Sequence, residues 1–205
     1  MLDALFELIV PSVCPACDRP RPADATLLCV TCRAGLQPLH ELAGAATALA
    51  YAGTAATLLR RFKFDGRRDA LRVLLGPLEA RAAELPAGAI VPVPRHPARI
   101  RELGADPVRT LARALARRSG RPFLGGALRR TRAALPQTGL PHAARRGNVR
   151  DSFEARPGLV CGRALLLIDD VTTTGATLEE ARRALARAGA RVRALALAGT
   201  PPPAL

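Results

Sequence analysis

A chain of 205 residues, 49% of them hydrophobic, has room for one ordinary domain with a small appendage and enough apolar mass for a real core, which excludes disorder throughout. Only 3% is aromatic, with no Trp and one Tyr, so Leu, Ala and Val must do the burying. The formal net charge of +14 points to polyanionic ligands or partners; the other reading is compositional, since every cation but Lys63 is Arg in a chain rich in Ala, Gly and Pro, as a GC-rich coding sequence would give.

At the amino end, Met1 to Leu5 lack the basic start of a secretory signal, and no apolar run anywhere reaches the roughly 20 residues that cross a bilayer. The expected location is the cytoplasm, with no membrane partner. Leu2, Leu5, Phe6, Leu8 and Ile9 have the spacing of a short helix ending before Pro11. Residues 12 to 40 are too polar to bury themselves without a staple, and they hold Cys14-Pro-Ala-Cys17 and Cys29-Val-Thr-Cys32, two C-x2-C knuckles 11 residues apart. Each knuckle brings two thiolates to one side of a tight turn, and together they complete the tetrahedral sulfur shell that zinc prefers at ~2.3 Å. In a reducing compartment such pairs are metal ligands rather than disulfides. Four sulfurs leave no open position, so the expected Zn2+ is structural. Cys161, just ahead of an apolar run, is expected to be a packing residue.

The texture changes near residues 40 to 46, which divides a zinc module over 1–44 from an α/β domain over 45–200. The spacing predicts a strand over Thr47 to Tyr51, helices over Ala55 to Phe64 and Arg68 to Glu84, and a strand over Ala89 to Val93 stopped by Pro94. Asp106 and Pro107 cap and start a helix to about Arg118 that Gly120 ends. Phe123 to Leu128 is a weak strand, and Arg130 to Asp151 a polar excursion of the length of a functional loop or lid. Ala164 to Ile168 is a buried parallel strand, Thr177 to Ala188 a helix ended by Gly189, and Val192 to Ala198 a second strand; the tail from Thr200 to Leu205 is frayed. This alternation is that of an α/β fold with a largely parallel sheet flanked by helices.

The sharpest feature is Ile168-Asp169-Asp170-Val171-Thr172-Thr173-Thr174-Gly175-Ala176-Thr177. A buried strand delivers two carboxylates to its carboxyl end, where ligands of open parallel sheets bind. The loop that follows turns into a helix, and its backbone N–H groups with the helix's positive end make a seat for a phosphate dianion. Thr172, Thr173, Thr174 and Thr177 add hydroxyl donors, while Asp169 and Asp170 suit the hydroxyls of a ribose. A helix-capping acid before a generic polar turn is the bland alternative; the two halves in this order favour a ribose 5-phosphate site. Neither a G-x-x-x-x-G-K-[ST] loop nor a G-x-G-x-x-G fingerprint is present, so triphosphate and dinucleotide sites have no support.

This stretch resembles the 5-phosphoribosyl 1-pyrophosphate (PRPP) motif of type I phosphoribosyltransferases. With the four cysteines ahead of it, the chain resembles the ComF family of competence-associated proteins, which join an N-terminal zinc finger to such a domain. The resemblance spans nearly all 205 residues and rests also on Tyr51, Phe62-Lys63-Phe64 with Gly66-Arg67, Val91-Pro92-Val93-Pro94, and Arg129 to Phe153. It implies a type I phosphoribosyltransferase-like parallel sheet flanked by helices, preceded by a small four-cysteine zinc module. It assigns Asp169 and Asp170 to the ribose hydroxyls, and Thr172, Thr173, Thr174, Gly175, Ala176 and Thr177 to the 5-phosphate. Pyrophosphate, bridged by Mg2+, falls to the loop from Pro94 to Arg101, where Arg95, Arg99 and Arg101 can neutralise oxygens.

The implied chemistry is stabilisation of the departing pyrophosphate, with Asp169, Asp170, Arg99 and Lys63 as the catalytic set and no side-chain nucleophile. Lys63 reads equally well as a solvated helix residue. His96 and His142 have no triad partner and are expected in surface or structural roles. Between Pro94 and Arg150 there are 14 Arg and two acidic residues, a place for phosphates or a nucleic-acid backbone. Where the family commonly continues Arg-Gly-Phe-Asn-Gln, this chain has Leu103-Gly104-Ala105-Asp106-Pro107, which weakens the case for catalysis more than for ligand binding. Two functions follow from the resemblance: a phosphoribosyltransferase of unidentified acceptor, or a non-catalytic module that keeps the ribose-phosphate pocket and contacts single-stranded DNA and DNA-processing proteins in natural transformation.

Overall fold

In the computed structural model the described residues are 13–20, 27–86, 88–131 and 152–201. The helix expected over Leu2 to Val10, most of the expected lid including His142, and the last four residues of the tail lie outside them. In chain order the elements are α1 (Val30–Ala34), β1 (Glu41–Leu42), β2 (Ala45–Ala50), α2 (Gly53–Phe64), α3 (Arg68–Ala83), β3 (Ala89–Pro92), α4 (Pro97–Leu103), α5 (Pro107–Ser119), β4 (Leu128–Arg130), β5 (Phe153–Ala155), α6 (Pro157–Val160), β6 (Ala164–Thr172), α7 (Ala176–Arg187) and β7 (Arg191–Gly199). A five-stranded sheet runs in the order β1-β2-β7-β6-β3, parallel except where β1 turns antiparallel onto β2, and β4 with β5 forms a separate hairpin.

Side-chain alternation along β6 organises the core. Successive residues of a strand point to opposite faces. Leu166 and Ile168 face a cluster with Leu58, Leu59 and Phe62 of α2, Leu74 and Leu78 of α3, and Leu111 and Leu115 of α5. Leu165 and Leu167 face the other way, against Leu178, Ala181 and Leu185 of α7 and against Leu128 and Phe153 of the hairpin. All four are fully buried, and each such leucine or isoleucine is worth about 1.5–3 kcal/mol of apolar transfer. The metal knuckles are tied into the first of these cores, since Cys14, Ala16 and Leu28 pack in the same cluster as α2 and α3.

The α/β layering expected from the sequence is the one observed. Several boundaries differ. β6 continues four residues past Ile168 because Asp169, Val171 and Thr172 keep register with Ala196, Ala198 and Gly199 of β7, so the acidic pair lies inside the strand rather than after it. The weak strand expected over Phe123 to Leu128 is a single bridge, Phe123 to Ile90, and the paired strand starts only at Leu128. Most of the expected pyrophosphate loop, from Pro97 to Arg101, is helix: Pro97 starts α4, and His96 Nδ1 accepts from the Ala98 N–H at 3.2 Å. Cys161 is exposed in the turn before β6 instead of packing inside.

Candidate functional site

Cys14, Cys17, Cys29 and Cys32 converge as their spacing predicts, with all four Sγ atoms within 4.8 Å of one another. Cys17 and Cys29 Sγ lie 3.7 Å apart. A tetrahedron of sulfurs ~2.3 Å from a central zinc has edges of about 3.8 Å, so the cluster has the dimensions of a four-cysteine zinc site. Burial raises the Cys14 thiol, but hydrogen bonds from the Cys29, Ala16 and Cys17 backbone outweigh it and bring its pKa down to about 6. Burial, then hydrogen bonds with Cys17 and Cys29, push Cys32 up to about 12. One thiolate among crowded thiols is the environment that a divalent cation relieves.

In the sheet, strand alternation splits the acidic pair. Asp170 follows Ile168 to the α2 side, where Lys63 Nζ lies 2.8 Å from its Oδ2 and Arg95 Nη2 donates to the same oxygen. Asp169 follows Leu167 to the hairpin side, where the charge of Arg130 at the end of β4 acts on it. Both carboxylates are buried, Asp169 to 8% and Asp170 to 3% exposure. Burial, and then the charge of Asp170, push the Asp169 carboxyl up to about 7. Burial also opposes ionisation of Asp170, yet Lys63 and Arg95 outweigh it and hold this carboxyl below its ordinary range. The two groups of one dipeptide are thereby driven in opposite directions, a pattern typical of functional sites.

The Thr/Gly loop leaves β6 directly beneath this pair. Thr172 is the last strand residue and is buried; Thr173 is exposed. Thr174 Oγ1 accepts from the Ala176 N–H at 3.5 Å. Gly175 is the N-cap of α7 with φ 72°, and a Cβ there would lie 2.8 Å from the Ala43 carbonyl oxygen, so conformation and space both demand glycine. Glu179 N–H makes the first helical bond, to Gly175 O, which leaves the N–H groups of Ala176, Thr177 and Leu178 at the positive end of the helix dipole.

Of the three arginines expected around pyrophosphate, Arg95 alone reaches the acidic pair, because it precedes the helical turn. Arg99 lies on exposed α4 and pairs with Glu102 at 2.6 Å, and Arg101 is exposed. Arg130, which the sequence places at the start of the lid, adds a third positive charge on the Asp169 side, and its guanidinium lies 5.3 Å from the Phe153 ring. Its signal was available: it stands at the edge of the polar excursion, and the polar face of a strand opposite an acidic pair is where a counter-charge belongs. The Nε–H groups of Arg95 and Arg130 are buried with no hydrogen-bond partner among the described residues. Arg81 Nε and Arg121 Nη1, away from the pair, are buried without partners among the described residues as well, so it is the position of Arg95 and Arg130 beside the carboxylates that suits these two to an anion. Beside Lys63, a cavity of about 660 Å³ opens between α2, α3 and α5, lined by Phe62, Leu71, Leu75, Arg72 and Pro107 among others.

The chain is 30% identical over 187 residues to the DNA utilization protein YhgH of Escherichia coli O157:H7, a match that covers 87% of this chain and 80% of that protein. It is 32% identical over 142 residues to competence protein F of Haemophilus influenzae, covering 64% of this chain and 62% of that one. Among solved structures, the glutamine PRPP amidotransferase of B. subtilis superposes at a TM-score of 0.46 and 22% identity over 68% of this chain, which spans 30% of that enzyme's length. No protein-family model matches. Among the described residues no helix is long and apolar enough to cross a membrane.

Proposed function

The chain belongs to the ComF family, that of YhgH and competence protein F, and from that premise we propose that it binds PRPP and transfers the phosphoribosyl group to an acceptor. One observation carries this reading: a buried pair of carboxylates with Lys63 and Arg95 on Asp170 and the charge of Arg130 on the Asp169 side, the Nε–H groups of both arginines having no hydrogen-bond partner among the described residues, beside a threonine-glycine loop that opens a helix. Ribose hydroxyls donate to Asp169 and Asp170. The 5-phosphate sits on the N–H groups of residues 174–177.

In this reading a diol that reaches Asp170 takes the place of Lys63 and Arg95, and the released cations turn to pyrophosphate. Arg130 meets the same anion from the hairpin side. These charges matter most as the bond from the anomeric carbon to the pyrophosphate oxygen breaks, when negative charge gathers on the leaving group. Asp169 and Asp170, hard oxygen donors beside the ligand's own oxygens, fit Mg2+, which supplies further positive charge to pyrophosphate when bound with PRPP. The cavity beside Lys63 is the space for the acceptor, and its apolar floor under arginine suits a flat ring better than a sugar.

Calorimetry with PRPP and Mg2+ tests the reading. Asp169→Asn with Asp170→Asn should weaken binding at least about tenfold, the scale of a lost charge-assisted hydrogen bond; unchanged affinity would sink the site. Pyrophosphate release in the presence of candidate acceptors separates transfer from binding. A second reading, contact with single-stranded DNA, is favoured by the names of the relatives and by exposed Arg113 and Arg117 on α5. It requires an affinity that falls steeply with salt, and a flat salt profile would exclude it.

A further inference from the structure

We propose that Asp18, the residue after the second thiolate of the first knuckle, is a positioning residue that holds Lys63 against Asp170. Arg61 donates to both carboxylate oxygens of Asp18, at 2.7 and 2.6 Å, and also to the Pro15 carbonyl at 3.1 Å. Arg67 donates to the same carboxylate at 3.2 Å. Arg61 precedes and Arg67 follows the turn at Gly66, whose φ of 64° marks it as a left-handed bend. The backbone closes this turn, with the Arg67 N–H donating to the Arg61 carbonyl at 3.2 Å, and Asp69 also holds the Arg67 guanidinium; the Asp18 carboxylate ties the two flanking side chains together from outside. Lys63 stands between them, in the last turn of α2.

Apolar packing of α2 stops one residue short of Lys63. The last α2 side chain in the core is Phe62, and Phe64 is 66% exposed, so the end of the helix carries Lys63 beyond its hydrophobic anchor. Asp18 itself is fixed from the metal side: its N–H donates to the Cys14 carbonyl at 2.9 Å, and its φ is 59°. The line of contacts runs from the knuckle through Asp18, Arg61 and the end of α2 to Lys63, and from Lys63 Nζ to Asp170. The four-cysteine module thus acts on the ligand site at a distance. An exposed ion pair that merely stabilises would add little and would leave Lys63 where it is.

The proposal takes the acidic site of the proposed function as its endpoint, and its test reads Lys63 itself. Lys63 is the sole lysine, so reductive 13C-methylation of the full-length, zinc-loaded protein labels only that side chain and the terminal amine. Asp170→Asn sets the resonance position of Lys63 without its carboxylate. Asp18→Ala should move the Lys63 resonance at least halfway to that position while zinc content stays at one per chain, and Asp18→Glu should bring it back. Arg61→Gln with Arg67→Gln, which leaves the knuckle sequence intact, should reproduce the shift should Asp18→Ala prove unstable. A Lys63 resonance unmoved by both the Asp18 and the paired arginine variants, or insensitive to Asp170→Asn, overturns the proposal. In parallel, Asp18→Ala should weaken PRPP binding about fivefold, the scale of coupling between sites. Wild-type protein that does not bind PRPP would defeat the proposed function, and the methyl resonances would still decide the role of Asp18.

Discussion

Asp169 keeps its proton at a pH where an ordinary aspartate has long since lost it. Its pKa rises from 3.8 to about 7 through burial and then the neighbouring charge of Asp170. The folded chain binds this proton more tightly than the unfolded one, so the group's stabilising contribution is complete below about pH 3.8 and is lost as pH rises through about 7. Asp169→Asn removes that loss. In denaturant titrations of protein without ligand, the variant should gain stability over wild type progressively between pH 4 and 8; a gap that does not change with pH contradicts the assignment. The same variant should lose PRPP, a trade of function for stability common where an ionisable group is buried for use. At the loop, Gly175→Ala should cost about 1–3 kcal/mol in equilibrium unfolding, since it combines left-handed strain with a collision at Ala43. The adjacent acids and the Thr/Gly loop were legible in the sequence. Their division between faces was not, because two aspartates after an apolar run look like a loop, and the cations that make them tolerable inside a strand come from distant segments.

Among the elements, those with a marked start and stop are the legible ones. α5 has Asp106 accepting from the Arg109 N–H at 3.0 Å, Pro107 in its first turn and Gly120 left-handed at its end, and each of these is a chemical mark visible in one residue. Asp106→Ala should cost about 1 kcal/mol by chemical denaturation, the usual worth of an N-cap; no measurable loss would mean that packing of Leu111 and Leu115 alone holds the helix. β6 and β7 are legible as apolar runs, but their extent depends on mutual register, which neither run contains by itself. The hairpin of β4 and β5, each three residues long, escapes a reading by pattern because so short a stretch holds no period, and its partners are separated by the whole polar excursion. α4 escapes it because Pro97, a good first helical residue, is as much at home in a loop.

At the scale of the molecule, composition divides the chain near residues 40 to 46, yet β1 (Glu41–Leu42), on the cysteine side of that division, pairs into the sheet, and composition carries no information about packing across it. Cys14, Ala16 and Leu28 share a core cluster with α2 and α3, and Asp18 binds Arg61 and Arg67. Removal of zinc by a strong chelator should therefore lower the temperature of one common unfolding transition, because metal binding is linked to folding of the body it is packed into. A separate low-temperature transition with the main one unmoved would show the module to be independent. The margins of the sheet carry a consequence of a different kind. β1 offers two residues at one border; at the other, the Ile90 N–H and carbonyl of β3 are taken by Pro122 and Leu124, and Pro92 has no N–H to offer. A foreign chain seeking to extend the ladder at the β3 border finds almost no open rungs among the described residues, so that side of the native protein is a poor template for fibril growth, and strand-by-strand stacking there requires that it first come apart.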